Sequence, residues 1–179
     1  MKKQTLHLFS RLEKQREDLL KFLKTHSEDQ LHFKPDPNSW NMLQVIRHLV
    51  TAESLSFRYI KRKMSDSAAI PEVTLGAKVR SLLLKFALKL PVKFKAPKVA
   101  EVNEEYPDFE MMIDEWNSVR YELKGLMIQA DEEIFNKTIY KHPRAGYLTL
   151  HQTIHFMKDH IDHHIKQIER ISVHPHFPK

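Results

Sequence analysis

The sequence predicts an all-helical protein, a four-helix bundle, and three observations support this prediction. Only three glycines occur among 179 residues, and no run alternates β-branched residues between turn signals. Hydrophobic residues recur at spacings of three and four in four separate segments, which is the period of an amphipathic helix. The length suits one domain that spans residues 1–179.

The first predicted helix covers residues 3–25, and the second begins near Asn38 or Ser39, either of which can cap it. The second continues to residue 64 and is apolar on two sides, which places it in the middle of a bundle. Its first apolar face holds Met42, Leu43, Ile46, Leu49, Val50, Phe57 and Ile60, and its second holds Val45, Ala52, Leu55 and Tyr59.

The third predicted helix follows Pro107 and Asp108, and the fourth follows the segment HPRAGYLTL. The fourth carries one apolar stripe, formed by Leu150, Ile154, Met157, Ile161, Ile165 and Ile168. The tail at residues 172–179 contains two prolines and cannot continue this helix.

About forty residues, approximately 65–106, separate the second and third helices, so a long crossover is expected. Its segment 76–98 has seven basic residues and no acidic one. It is either a basic amphipathic helix that contacts a membrane surface or acidic partner, or a helix that packs on the bundle. We favour packing, because the topology requires a crossover there, and expect no stable membrane association.

Composition excludes several classes of site and partner. The chain has no cysteine, so a metal must be held by nitrogen and oxygen, and any thiol must arrive as a cosubstrate. The formal charge of +6 comes mostly from basic residues mixed with acidic ones, so no nucleic-acid partner is expected. No apolar run is long enough to span a bilayer, and we expect a cytoplasmic protein.

The segment HFMKDHIDHHIKQIERI, residues 155–171, contains four histidines within ten positions. Two pairs of histidines are spaced four apart on the fourth helix: His151 with His155, and His160 with His164. Both imidazoles of such a pair can reach one ion. Roughly one pair at this spacing is expected by chance in so histidine-rich a chain, so spacing alone decides nothing.

Direction around the helix separates the two pairs. His160 and His164 lie about 65° from the centre of the apolar stripe, whereas the other pair lies about 115° away. His163 points away from the stripe and is expected to be exposed. His48 lies in mid-helix among apolar neighbours. Three inward imidazoles in an apolar bundle need a partner, and a metal ion provides one.

The elements W40-N-M-L-Q-V-I-R-H48-L-V-T-A-E53, G146-Y-L-T-L and D159-H160-I-D-H163-H164-I-K-Q167-I168 resemble the DinB-like superfamily, which includes YfiT-like proteins. The resemblance implies an up-down-down-up bundle with a long crossover and a divalent ion, commonly zinc or nickel. It also implies three metal ligands, His48, His160 and His164, and a possible homodimer. Relatives with assigned activities include thiol-dependent transferases and an isomerase, and others are labelled metal-dependent hydrolases.

These expectations indicate a metal-dependent thiol transferase or hydrolase that acts on a small molecule. The alternative is a metal-binding stress or regulatory module without turnover. No catalytic residue is assigned: Glu53 is a candidate base on a distant face of its helix, and His142 either enters the pocket mouth or stabilises a turn. Asp159 and Asp162 can orient an imidazole but are expected to be solvated, and Trp40 and Trp116 are expected in the core.

Overall fold

A computed structural model describes residues 1–65, 108–143 and 145–179, and this part of the chain is mostly helical. Four helices are long, and one is a single short turn after the first. The described elements are α1 (Lys2–Leu23), α2 (Glu28–His32), α3 (Met42–Ser65), α4 (Phe109–Gln129), a 3-10 helix (Glu132–Asn136), β1 (Thr138–His142), β2 (Gly146–Thr149) and α5 (Leu150–Ser172).

The four predicted helices correspond to α1, α3, α4 and α5, but the predicted cap of the second is wrong. That helix begins at Met42, and Asn41 caps it instead of Asn38 or Ser39. The Asn41 side-chain oxygen accepts from the Gln44 N–H at 2.8 Å, and the Gln44 side-chain oxygen accepts from the Asn41 N–H at 3.1 Å. Ser39 instead hydrogen-bonds the Asp36 carboxylate within the preceding turn.

The same reciprocal capping begins α5, where Thr149 and Gln152 exchange hydrogen bonds between side chain and backbone. Thr149 is also the last residue of β2, so the strand leads into the helix without a linker. The first residue of α5 is therefore fixed by two hydrogen bonds and by strand pairing.

A β-hairpin precedes α5, which the sequence pattern did not predict. β1 and β2 pair antiparallel, with His142 opposite Gly146, and Gly146 has a positive φ of 70°. The strands have five and four residues, too few for a clear alternation of polar and apolar side chains. The hairpin packs on α3 and α5, so it lies beside both helices that carry the predicted metal ligands.

The core lies between α1, α3, α4 and α5, with α1 packed on α4 and α5, and α3 packed on the same two helices. The first predicted apolar face of α3 is buried throughout. The second is not, because Val45 is buried whereas Leu55 is 37% exposed. Among the described residues, no helix is long and apolar enough to cross a membrane. The predicted crossover after Ser65, including segment 76–98, lies outside the described residues.

Candidate metal centre

The structure brings the three predicted ligands together between α3 and α5. The Nε2 atom of His160 lies 3.3 Å from the Nε2 atom of His48 and 3.2 Å from that of His164. One ligand atom from each residue lies within 4.8 Å of the other two. His48 and His164 are buried, and His160 keeps part of its surface exposed. We call these three residues the histidine cluster.

The two separations from the Nε2 atom of His160 fit one tetrahedral cation. Nitrogen ligands at 2.0–2.1 Å from a tetrahedral ion lie about 3.3 Å apart, whereas ligands at right angles lie about 2.9 Å apart. The two Nε2 separations, 3.3 and 3.2 Å, are closer to the tetrahedral value. The donor atoms also suit the cation, because imidazole is a ligand for zinc, copper, iron and nickel.

Protons alone satisfy these contacts poorly. A neutral ring nitrogen has either one N–H or one lone pair, and it directs that group along a single line. The Nε2 atom of His160 faces two other Nε2 atoms at hydrogen-bond distance. It can therefore make one good hydrogen bond. In the second contact, the two nitrogen atoms are both donors or both acceptors, or the hydrogen bond between them is poorly directed. A cation at the centre accepts all three lone pairs.

Gln167 prepares His164 to bind a cation. The amide oxygen of Gln167 lies 2.9 Å from Nδ1 of His164, so Nδ1 carries the proton and donates it. The Nε2 atom of His164 then keeps its lone pair and points it toward the histidine cluster. One signal for this role is the spacing, because Gln167 lies three positions after His164 on the same helix.

Burial keeps two of the three imidazoles neutral. Burial, and after it the neighbouring His48 ring, lower the pKa of His164 to about 3. Burial also lowers the pKa of His160 well below its ordinary value, with His164 and His48 as the next causes. Both rings are uncharged at neutral pH, which is the state in which imidazole binds a metal.

Two aromatic rings pack against the histidine cluster. Trp40 lies 5.2 Å from His48 between ring centroids, and Phe156 stacks on His160 at 5.4 Å with the rings inclined by 15°. Trp40 was expected in the core, but it and Phe156 are only partly buried. His160 is also partly exposed, so each of these three rings keeps some surface outside the core.

The second histidine pair has the same spacing but a different surrounding. The ring centroids of His151 and His155 lie 6.4 Å apart, compared with 4.7 Å for His160 and His164. Nδ1 of His151 lies 3.1 Å from the Thr5 hydroxyl on α1. Among the described residues, only the histidine cluster brings three candidate ligands together, so the pair at His151 has no third one.

The other candidates have contacts elsewhere. Glu53 is buried, and its carboxylate accepts hydrogen bonds from Trp116 and Arg120 on α4. Trp116 is fully buried, as predicted. His163 is half-buried rather than exposed, because its ring packs edge-on against His164. The two aspartates also have partners on their own helix: Asp159 pairs with His155, and Asp162 pairs with Lys158.

Comparison with known proteins identifies a family for this chain. The sequence model of the family described as the DinB superfamily matches residues 11–168. The chain is similar to the uncharacterized protein YuaE of Bacillus subtilis (strain 168), with 28% identity over 149 residues, which cover 83% of this chain and 87% of that protein. No solved structure gives a significant match.

Proposed function

This chain belongs to the DinB superfamily, and from that premise we propose that it is a metal-dependent enzyme whose His48, His160 and His164 hold one divalent cation. The observation that carries the proposal is the convergence of three imidazoles, in which the Nε2 atom of His160 lies 3.3 and 3.2 Å from the other two Nε2 atoms. When bound, such a cation lowers the pKa of water or a thiol enough to supply a nucleophile at neutral pH.

Zinc is the cation that this geometry favours, and nickel is the second candidate. Three imidazoles without a thiolate suit both metals. Zinc prefers a tetrahedral arrangement, whereas nickel(II) prefers square-planar or octahedral ones, so the separations of 3.3 and 3.2 Å support zinc.

We propose a small-molecule substrate and a reaction that is either thiol transfer to an electrophile or hydrolysis. Three protein ligands leave a fourth position of a tetrahedral ion open, as in catalytic zinc sites. Trp40 and Phe156 are partly exposed and offer apolar surface beside the cluster, which suits a substrate with an apolar body. The thiol of a transfer reaction is a separate cosubstrate, because the chain has no cysteine.

A second candidate function is a metal-binding module without turnover. The burial of His48 and His164 supports it, because two of the three ligands are enclosed by protein. In this case the metal has a structural or regulatory role. The two functions have the same ligands and differ in whether a substrate reaches the ion.

We further propose that α1, α3, α4 and α5 form an up-down-down-up bundle. Contacts between helices support this order, because α1 runs opposite to α4 and along α5, and α3 runs along α4. Between α1 and α4, Lys2 contacts Ala130 and Lys24 contacts Glu110. Between α1 and α5, Thr5 contacts His151 and Gln15 contacts Lys158. Between α3 and α4, Arg47 contacts Glu115 and Lys61 contacts Glu122. The homodimer stays a prediction from family resemblance.

Metal content measured by plasma mass spectrometry on untagged protein tests the site. We expect about one ion per chain in the wild type, and loss of the ion in His48→Ala, His160→Ala and His164→Ala. His151→Ala and His155→Ala are matched controls, since they remove the same side chain from α5 at the same spacing. The site is rejected if wild-type protein, after incubation with zinc or nickel, retains no stoichiometric metal.

Turnover separates the enzyme from the binding module. The assay mixes metal-loaded protein with a low-molecular-weight thiol and a chromogenic electrophile such as 1-chloro-2,4-dinitrobenzene, and a second assay uses a chromogenic ester. The enzyme gives a rate above that of free metal, which disappears in His160→Ala. Rates equal to those of free metal with both substrates favour the binding module.

A further inference from the structure

A phenylalanine lies one helical turn before the partly exposed ligand. Phe156 and His160 are four residues apart on α5, and their rings stack with centroids 5.4 Å apart and planes inclined by 15°. Aromatic rings attract each other at centroid separations of about 4.5–7 Å. The imidazole of His160 is therefore in favourable contact with a second ring of the same helix.

Two ligands on α5 are oriented in different ways. Nδ1 of His164 donates to the Gln167 amide oxygen, and this hydrogen bond sets the direction of the ring. The hydrogen-bond contacts of His160 both involve Nε2, so its Nδ1 has no partner among the described residues. Stacking on Phe156 therefore takes the place of the hydrogen bond that orients His164.

The plane of the His160 ring decides whether its nitrogen can share an ion with the other two ligands. The lone pair of an imidazole nitrogen lies in the plane of the ring. The planes of the three cluster rings cross at 61–77°, so their lone pairs approach the centre from different directions. Rotation of the His160 ring about the bond that carries it would turn Nε2 away from the centre and break the stacking on Phe156.

The hairpin supports Phe156. The ring of His142, the last residue of β1, packs edge-to-face on Phe156 with centroids 4.5 Å apart. Nδ1 of His142 accepts a hydrogen bond from the Ala145 N–H at 3.0 Å, so His142 stabilises the turn, which is one of the two roles expected for it. Two residues earlier, the hydroxyl of the buried Tyr140 lies 2.9 Å from the Ser56 hydroxyl on α3. The strand that supports Phe156 is thus anchored to α3 and to its own turn.

We propose that Phe156 is a positioning residue of the metal centre, which orients the His160 imidazole toward the ion and links the hairpin to the histidine cluster. The inference rests on the proposed function, in which His160 is a ligand. A ligand that is already held in its binding orientation loses less conformational freedom when the ion binds, so the affinity for the ion is higher. Metal affinity should therefore depend on an aromatic ring at position 156 and, more weakly, on the hairpin residue that packs on it.

Three substitutions and a control separate the orientation of His160 from packing alone. Phe156→Leu keeps apolar bulk and removes the ring, whereas Phe156→Tyr keeps the ring. Phe156→Met replaces the Leu variant if that protein does not fold. His142→Asn keeps the acceptor for the turn and removes the ring that packs on Phe156. The matched control is Phe57→Leu, which removes a more deeply buried ring nine residues after His48, on the other side of α3.

The experiment measures two properties of the metal-loaded protein. Zinc affinity is measured by competition with a chromogenic chelator, after circular dichroism has shown that each variant is folded. Cobalt(II) is then bound in place of zinc, and its visible absorption reports the arrangement of ligands around the metal. A loss of packing alone lowers the free energy of unfolding, but it does not change the cobalt(II) spectrum.

We expect Phe156→Leu to bind zinc about tenfold more weakly than wild type and to change the cobalt(II) spectrum. Phe156→Tyr should retain the affinity and spectrum of wild type, and His142→Asn should lose less affinity than Phe156→Leu. If Phe156→Leu retains the wild-type affinity and spectrum, or if Phe57→Leu loses as much affinity, the role of Phe156 is overturned and the proposed function stands. Failure of wild-type protein to bind zinc and cobalt(II) overturns the proposed function, and the inference with it.

Discussion

Two polar clusters lie inside the same core, and they differ in how their polar atoms are satisfied. In the first, which we call the carboxylate cluster, Arg120 donates to both oxygens of Glu53 at 2.6 Å each and to Glu13 at 2.8 Å, and Trp116 donates to Glu53 at 2.8 Å. The histidine cluster instead brings three like groups together. The first is complete within the described residues, and in the proposed function a metal ion completes the second.

Both clusters use α3, from different sides. Glu53 follows His48 by five residues, which is about 140° around a helix. His48 faces α5, where His160 and His164 lie, and Glu53 faces α4, where Trp116 and Arg120 lie. Burial of a polar residue therefore does not indicate function by itself. The informative feature is whether its buried neighbours already supply the opposite charge or the missing hydrogen-bond partner.

The largest effect on stability is expected from the carboxylate cluster. Glu53→Gln leaves Arg120 buried without its main counter-charge and should lower the free energy of unfolding by about 3 kcal/mol, with or without metal. Urea denaturation measures this. The control is Glu122→Gln, which breaks the exposed pair with Lys61 between the same helices and should cost less than about 1 kcal/mol. Equal costs for the two variants would show that the carboxylate cluster does not stabilise the core.

Zinc should stabilise the protein through the histidine cluster alone. At free zinc one hundred times the dissociation constant, the free energy of unfolding should rise by about 2.7 kcal/mol, because zinc binds only the folded cluster. Denaturation with and without zinc tests this, and His151→Ala should keep the full increase. The same increase in His48→Ala as in wild type would contradict the assignment of His48 as a ligand.

Loss of the hydrogen bond between Gln167 and His164 should weaken metal binding without abolishing it. Gln167→Met removes the acceptor for Nδ1–H of His164 and frees the ring to change tautomer, so zinc affinity should fall about tenfold to a hundredfold. Competition with a chromogenic chelator measures the affinity. Gln167→Glu keeps an acceptor at this position and should bind zinc at least as well as wild type, so a loss in both variants would point to packing instead.

The smallest effect is the pH dependence of the metal-free protein. The pKa of His164 is about 3 in the folded chain and about 6.5 when unfolded, so below pH 6.5 the unfolded state binds a proton that the folded state does not. Stability should therefore be lost as pH falls, by about 1 kcal/mol from His164 between pH 7 and 5.5, and His160 adds to this loss.

Urea denaturation in chelator at the two pH values measures this loss. His164→Gln, which cannot be protonated in either state, should show a smaller loss than wild type. Glu53→Gln should show the wild-type loss, because the carboxylate cluster is separate. An equal loss in wild type and His164→Gln would show that His164 does not remain neutral in the folded chain.

The sequence predicted the helices and the meeting of the histidines for one physical reason. The helical period of the apolar residues predicts the long helices. The same period fixes the direction of each side chain relative to the apolar stripe, and this direction predicts which histidines point inward. Pairings across helices were not predictable in this way. Arg120 lies four residues after Trp116, but the helical period does not show that Glu53 is its partner where α3 packs on α4.

Short elements were also missed or misplaced. The hairpin strands are too short to show a period, and Asn41 competes as a cap with two neighbouring residues of similar chemistry. Leu55 was placed inside because apolar character alone does not show which of two faces a neighbouring helix covers. The hydrogen bond of Gln167 with His164 depends on the orientation of the His164 ring, which is a property of the side-chain conformation rather than of the sequence.

The capping of α5 at Thr149 has a consequence for how sequence length can vary in relatives. The reciprocal bonds with Gln152 start the helix at a defined residue, and His160 follows about three turns later. One residue inserted between Thr149 and His160 would rotate both imidazoles by about 100° and turn them away from His48. Insertions before β1, or between β1 and β2, leave that angle intact, so natural variation in length is expected there and not within the helix.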